Sequence, residues 1–209
     1  MTISVEAGVR KDLRIPKERR SELRREAVID VARELLIQRG SLNTGIPQVT
    51  ALSNLGSGTC YRYFSDREDL ILGVCQNDLD RLLREFTRHL AIGDLKTTEQ
   101  VIHTALSALV SIRGSRKGAV PLSLSSTFNR EEPRDDIRIY VETITSVLDQ
   151  IFPRPEVGAS SLQLTIVITL ADAFLTKNLP AMGNDAALAA VLLFARIGIK
   201  ATNSSLAGS

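Results

Sequence analysis

Tryptophan is absent from this 209-residue chain, and phenylalanine and tyrosine bring the aromatic share to only 4%. Leucine, isoleucine, valine and alanine carry the apolar content instead, which suits helix-on-helix packing better than a sandwich of sheets. Cysteine is scarce too. Cys60 and Cys75 are too few for a disulfide framework, fit a reducing compartment and fall on apolar faces as small core residues. The two histidines, His89 and His103, have no Cys, His, Asp or Glu three or four residues on, so neither opens a helical metal pair. No G-x-S-x-G, H-E-x-x-H, P-loop or C-x-x-C occurs, which removes the commonest signatures of hydrolases, metalloproteases, nucleotide-binding enzymes and redox proteins. There is also no run of about 18 uncharged apolar residues and no apolar signal core at the N-terminus. The expectation is a soluble cytoplasmic protein with no membrane partner, no metal and no cofactor.

What is present is unevenly distributed charge. The chain is nearly balanced at +2, yet Arg10 to Arg25 holds eight lysines and arginines against Asp12, Glu18 and Glu22. That local excess of five positive charges leaves the remainder slightly acidic, an asymmetry common where a protein meets nucleic acid. Residues 1–18 have no sustained apolar period and contain Gly8 and Pro16, so they read as a flexible basic arm. Arg10, Lys11, Arg14, Lys17, Arg19 and Arg20 can track phosphates or enter a minor groove; the alternative is a solvated tail.

Helical periodicity then takes over. From Ser21, a candidate N-cap, Ala27, Val28, Val31, Ala32, Leu35 and Leu36 form one stripe as far as Gly40. Ile46, Val49 and Leu52 predict a short helix over about 46–53. Asn54 and Gly56 suit a tight turn, with Leu55 able to point back into a core. Ser57 to Tyr63 reads as a second short helix. Two helices about a three- or four-residue turn make the geometry that seats a recognition helix in a major groove. Ser65-Asp66-Arg67-Glu68 has the form of a capping box, and Leu70, Ile71, Val74, Cys75, Leu79, Leu82, Leu83, Phe86 and Leu90 extend a stripe to about Ala91. At 1.5 Å per residue that helix is about 39 Å long, too long for a three-helix domain, so it should be shared with a second one.

Further helices are expected over Thr97–Arg113 and Glu131–Phe152, and then over Ser160–Leu179 and Asp185–Lys200. The loop Gly114 to Gly118 is basic and read as solvated. The last two helices are apolar nearly all round, which asks for burial on every side and hence for a partner. Asp172 lies inside one of them, and a buried carboxylate needs a partner of its own; a dimer contact is the favoured reading, a ligand contact the other.

The run Leu55-Gly56-Ser57-Gly58-Thr59-Cys60-Tyr61-Arg62-Tyr63-Phe64-Ser65-Asp66-Arg67-Glu68-Asp69-Leu70 resembles the helix-turn-helix signature of the TetR family of bacterial transcriptional regulators, close to V-S-K-G-T-L-Y-R-Y-F-x-S-K-E-x-L. Gly58, Thr59, Tyr61, Tyr63 and Phe64 match, while Leu55 and Cys60 are apolar substitutes. Ser57 stands where the family often has a phosphate-pairing lysine, Asn54 replaces a common glycine, and Gly45 replaces a threonine N-cap. The resemblance spans the first third of the chain by motif and the rest by helix count. It implies an all-α fold: an N-terminal homeodomain-like three-helix helix-turn-helix domain (19–66) and a C-terminal helical ligand-binding and dimerisation domain (67–201), followed by a flexible tail (202–209).

It also implies a function: a sequence-specific transcriptional regulator, read as a repressor, bound to double-stranded operator DNA as a homodimer through its last two helices. A small hydrophobic or weakly polar effector would release it. The implied DNA-binding residues are Thr44, Gln48, Ser57, Gly58, Thr59, Tyr61, Arg62 and Tyr63, with Gln48 and Thr59 suited to base edges and the tyrosine hydroxyls to phosphates. Candidate effector-pocket residues are Phe86, His103, Leu106, Phe128, Tyr140, Ile144 and Phe174. Two other readings stay open: a DNA-binding dimer with a solid core and no effector, and a small helical enzyme using His103 and Asp172.

Overall fold

The apolar stripes fold as helices in the computed structural model, which describes residues 17–53, 56–93, 95–128, 135–151, 161–193 and 195. These are α1 (Lys17–Arg39), α2 (Ile46–Ser53), α3 (Ser57–Tyr63), α4 (Arg67–Ile92), α5 (Thr98–Arg113), α6 (Asp136–Ile151) and α7 (Ser161–Asn178). A further helix, α8, covers residues 184–193. Short 3₁₀ turns occupy Ser41–Asn43, Leu122–Thr127 and Leu179–Ala181. Among the described residues there is no strand, and no helix long and apolar enough to cross a membrane.

Two apolar cores lie along α4. Its first half buries Leu70, Ile71, Val74 and Cys75 against Val28, Ile29, Ala32 and Leu35 of α1, Ile46 and Val49 of α2, and Cys60 and Phe64 at α3. Its second half buries Leu79, Leu82 and Phe86 with α5, α6 and α7. One rod therefore serves both bodies, as its predicted length requires. α5 packs back along it after a short connection and opens with a capping box, Gln100 N donating to Thr97 Oγ1 at 3.2 Å and Thr97 N to Gln100 Oε1 at 3.0 Å.

Several expectations are corrected. α1 starts at Lys17 rather than after Ser21, so Ser21 is a helical residue and Lys17 to Arg20 form an ordered turn; the arm before it lies outside the described residues, as do Asn54, Leu55 and the 202–209 tail. The N-cap of α4 is Asp66, whose carboxylate accepts from Asp69 N at 2.8 Å; the box proposed from Ser65 is out of register by one residue. α6 begins at Asp136, and residues 129–134 are outside the described set.

The 114–118 loop is fastened rather than simply solvated, with Lys117 Nζ 2.6 Å from Asp30 of α1. Asp172 finds its partner within its own chain, accepting from the Arg113 guanidinium and, at 3.4 Å, from Ser123 N.

Candidate nucleic-acid interface

α3 ends on Phe64, which is 2% exposed and seals that helix against the N-terminal core. With Cys60 also buried at 1%, the remaining side of the helix faces outward. Gly58, Tyr61 and Arg62 are exposed and Thr59 is half-buried; Tyr61 keeps 55% of its surface in solvent. Ser57 opens the helix. Gln48 is exposed in the first turn of α2. It lines, with Gly45, Tyr61 and Arg67, a groove of about 430 Å³ between the start of α2 and the end of α3.

Two of the sequence candidates are used internally instead. Thr44 is 1% exposed, and its hydroxyl donates to the Gly40 carbonyl at 3.0 Å, so its side chain is not free for a phosphate. The Tyr63 hydroxyl lies 3.1 Å from the Ser21 hydroxyl and accepts from Arg62 at 2.6 Å, with the Arg62 guanidinium 4.9 Å from the ring centre. The Ser21 contact above all, then Arg62 and the more distant Arg24, favours the phenolate and holds the Tyr63 phenol below its ordinary value against the opposing effect of desolvation.

Residues that sequence reasoning missed complete this face. Arg67 Nε donates to the Thr44 carbonyl at 2.9 Å, and its Nη2 to the Ser41 carbonyl. It thereby pins the entry of α2 to the start of α4. The signal in the sequence, a cation inside an apparent capping motif, pointed only to helix initiation. Between α1 and α3, Lys17, Arg20, Ser21, Arg24 and Arg62 line a concavity of about 310 Å³. Four cations converging on one hollow beside α3 attract a polyanion, and their fixed fork and ammonium donors suit phosphate oxygens. The basic run was legible; its placement next to Arg62 was not, because the α1–α3 contact spans about 40 residues.

The effector-pocket candidates do not form one group. Phe86, Leu106, Tyr140 and Ile144 are fully buried together in the C-terminal core, where Phe86 and Tyr140 meet edge-on at 5.9 Å. Tyr140 donates to the Ala105 carbonyl at 2.7 Å, and burial pushes its phenol well above the ordinary value. Phe174 is half-buried at the edge of that core. Phe128 joins the N-terminal core instead, and His103 faces solvent on α5 beside Ser107 at 3.3 Å. His103 and Phe128 are thus corrections to the proposed lining. No cluster of three or more His, Cys, Asp or Glu suited to a metal occurs among the described residues.

A surface helix pair of this shape, with a sealed inner face and a basic rim, defines a helix-turn-helix module. Residues 28–74 match the family model described as bacterial regulatory proteins, tetR family. The chain is 27% identical over 121 residues to the HTH-type transcriptional regulator HbdR of Aromatoleum sp. (strain CIB), covering 58% of this chain and 51% of that protein; it spans about half the length of the curated relatives it matches. In fold it resembles the crystal structure of a TetR-family transcriptional regulator from Streptomyces coelicolor (TM-score 0.63, 16% identity, 86% of this chain and 97% of that one). It also resembles AibR in complex with isovaleryl coenzyme A and operator DNA (TM-score 0.60, 13% identity, 81% and 96%). The chain is thus similar to the TetR family, in sequence over residues 28–74 and in fold over most of its length.

Proposed function

We propose that the protein is a homodimeric, DNA-binding transcriptional repressor of the cytoplasm, released from its operator by a small molecule. The observation that carries the reading is the outward face of α3, with Thr59, Tyr61 and Arg62 beside the four-cation hollow of Lys17, Arg20, Arg24 and Arg62. Phosphates would seat in the hollow and near Tyr61, setting register, while Thr59 and Gln48 read base edges. The dimer is supported by α7: its inner face is buried, yet Ile166 and Leu170 remain 45% and 54% exposed with Ala173 beyond them, and Leu193 of α8 is 57% exposed. A second copy of the same pair would cover this surface and present two recognition helices to half-sites about 34–36 Å apart.

Effector control is supported by the likeness of fold to AibR, whose structure holds both an acyl coenzyme A and DNA. A ligand acts here only by binding one arrangement of the two bodies more tightly than the other. The second reading, a DNA-binding dimer without an effector, is favoured by the mutual packing of Phe86, Leu106, Tyr140 and Ile144.

The test is footprinting on DNA upstream of the protein's own gene at two salt concentrations. A protected, twofold-symmetric site that Tyr61→Ala weakens supports the regulator and provides the assay for its effector. Uniform coverage with no symmetric site would remove the reading.

A further inference from the structure

We propose that Asp78 and Arg33, which reach no DNA-facing surface, set which half-site spacing the dimer accepts, by locking the helix-turn-helix body onto the loop between α5 and the 122–127 turn. The proposal rests on the DNA-binding dimer reading above.

Asp78 of α4 is 3% exposed and its carboxylate is shared three ways. Oδ1 accepts from Arg33 Nε of α1 at 2.6 Å and from Arg81 Nη1 at 2.8 Å; Oδ2 accepts from the backbone N–H of Val120 at 2.8 Å. Arg33, itself 1% exposed, also donates to Asp30 at 2.5 Å and to Asn77 at 2.6 Å. Arg81 reaches on to the Gly118 carbonyl at 2.8 Å and Ser115 Oγ at 3.1 Å. On the outside, Lys117 closes the ring onto Asp30. Burial alone would raise the Asp30 carboxyl, but its hydrogen bonds with Lys117 and Arg33 prevail and hold it below the usual range.

The backbone is shaped to allow this. Gly118 takes φ +63°, and a Cβ there would stand 2.8 Å from Ile37 Cδ1 of α1, so the loop lies close against the helix. Just beyond, Val120 and Phe128 are buried in the N-terminal core rather than the C-terminal one.

The helix-turn-helix body is therefore held to the rest of the chain at two places. α4 alone is a single rod, about which small rotations and bends are cheap. An attachment off its axis removes that freedom. A buried ionic network suits the task because its donors and acceptors are satisfied together only in one arrangement, so it specifies geometry more than it adds stability. In a twofold dimer, the angle between each helix-turn-helix body and its own dimer half fixes the separation of the two recognition helices, and hence the spacing of the half-sites. Asp78 and Arg33 act as positioning residues for that separation.

The test uses the full chain and a duplex enriched by the wild-type protein from randomised DNA, together with versions carrying one base pair added or removed between the half-sites. Two variants are compared with wild type: Lys117→Glu, which breaks the exposed link without burying a charge, and the pair Arg33→Met with Asp78→Leu, which replaces the buried link by apolar bulk. Circular dichroism checks their helicity. The expected result is binding to the enriched duplex within about threefold of wild type, with discrimination against altered spacing falling about tenfold, in the range of couplings between linked sites. Unchanged discrimination in a folded Lys117→Glu protein, or an equal loss on every duplex, overturns the lock. Failure of the wild type to enrich any two-half-site duplex overturns the DNA-binding reading and the lock with it.

Discussion

Gly73 of α4 lies so close beneath Phe64 that a Cβ on it would stand 2.6 Å from the ring's Cε1. The ring that ends α3 rests on bare backbone, with the Arg25 guanidinium of α1 5.3 Å from its centre. The seat of α3 is thus set by an absent side chain in another helix. Gly73→Ala should displace Phe64, at a cost of about 1–3 kcal/mol for overpacking, offset by about 1 kcal/mol of regained helix propensity. The expected outcome is a lower urea midpoint with an unchanged slope. A midpoint equal to or above wild type would mean the ring relaxes freely and does not position the helix.

A pH effect is expected from Glu85 on α4. Hydrogen bonding from Arg88, aided by Ser111 and opposed by partial burial, brings its carboxyl from 4.5 down to about 2. A carboxyl depressed in the folded state contributes stability that is fully present above its unfolded value, and that stability is lost as pH falls through the folded one. Glu85 should therefore add acid sensitivity between about pH 4.5 and 2, and nothing above. An NMR titration of the side-chain carboxyl checks this: the midpoint should lie near 2 in wild type and rise toward the ordinary value in Arg88→Ala. A wild-type midpoint near 4.5 would leave the Glu85–Arg88 pair without effect.

How much of this was legible in the sequence depends on the range of the interaction concerned. α2, α3 and α4 were readable nearly to the residue, because periodicity and turn chemistry are local. The start of α1 was missed because Lys17 to Arg20 carry no apolar residue. That turn adjoins α3 across the hollow, where Ser21 meets Tyr63 some 42 residues away. Asp172 announced a need for a partner, but Arg113 is 59 residues distant and no spacing rule selects it. Phe128 went astray for a similar reason: the chain after α5 turns back to the N-terminal core. On the outward side of α3, exposure of Tyr61 and Arg62 followed from the motif, whereas the inward turn of Thr44 depends on the Gly40 carbonyl and the Arg67 clamp.

The uncovered face of α7 makes the oligomer testable without DNA. Leu170, 54% exposed, is four residues from Ile166, 45% exposed, on the same side of the helix. If a second copy covers them, Leu170→Asp places an unpaired carboxylate in an apolar interface, a change that typically costs several kcal/mol. Light scattering should show wild type at twice the chain mass and the variant at the chain mass of 22.9 kDa at micromolar concentration, with helicity retained. Equal masses for the two would place the dimer contact elsewhere.

The basic hollow predicts how DNA affinity responds to salt. Lys17, Arg20, Arg24 and Arg62 converge there, and each phosphate contact releases counterions, so log K falls with log salt by about 0.9 per contact. Arg24 adjoins no base-reading position, so Arg24→Ala should weaken specific and non-specific duplexes by similar factors. It should also flatten the salt slope by about 1 per subunit, or about 2 for a dimer holding both half-sites. Thr59→Ala, by contrast, should weaken the specific duplex and leave the slope unchanged, since a base-edge or methyl contact displaces no ion. Binding isotherms at four salt concentrations separate the two. If Arg24→Ala leaves the slope at its wild-type value, the hollow is not in contact with phosphate, and the cations that anchor the protein must lie elsewhere.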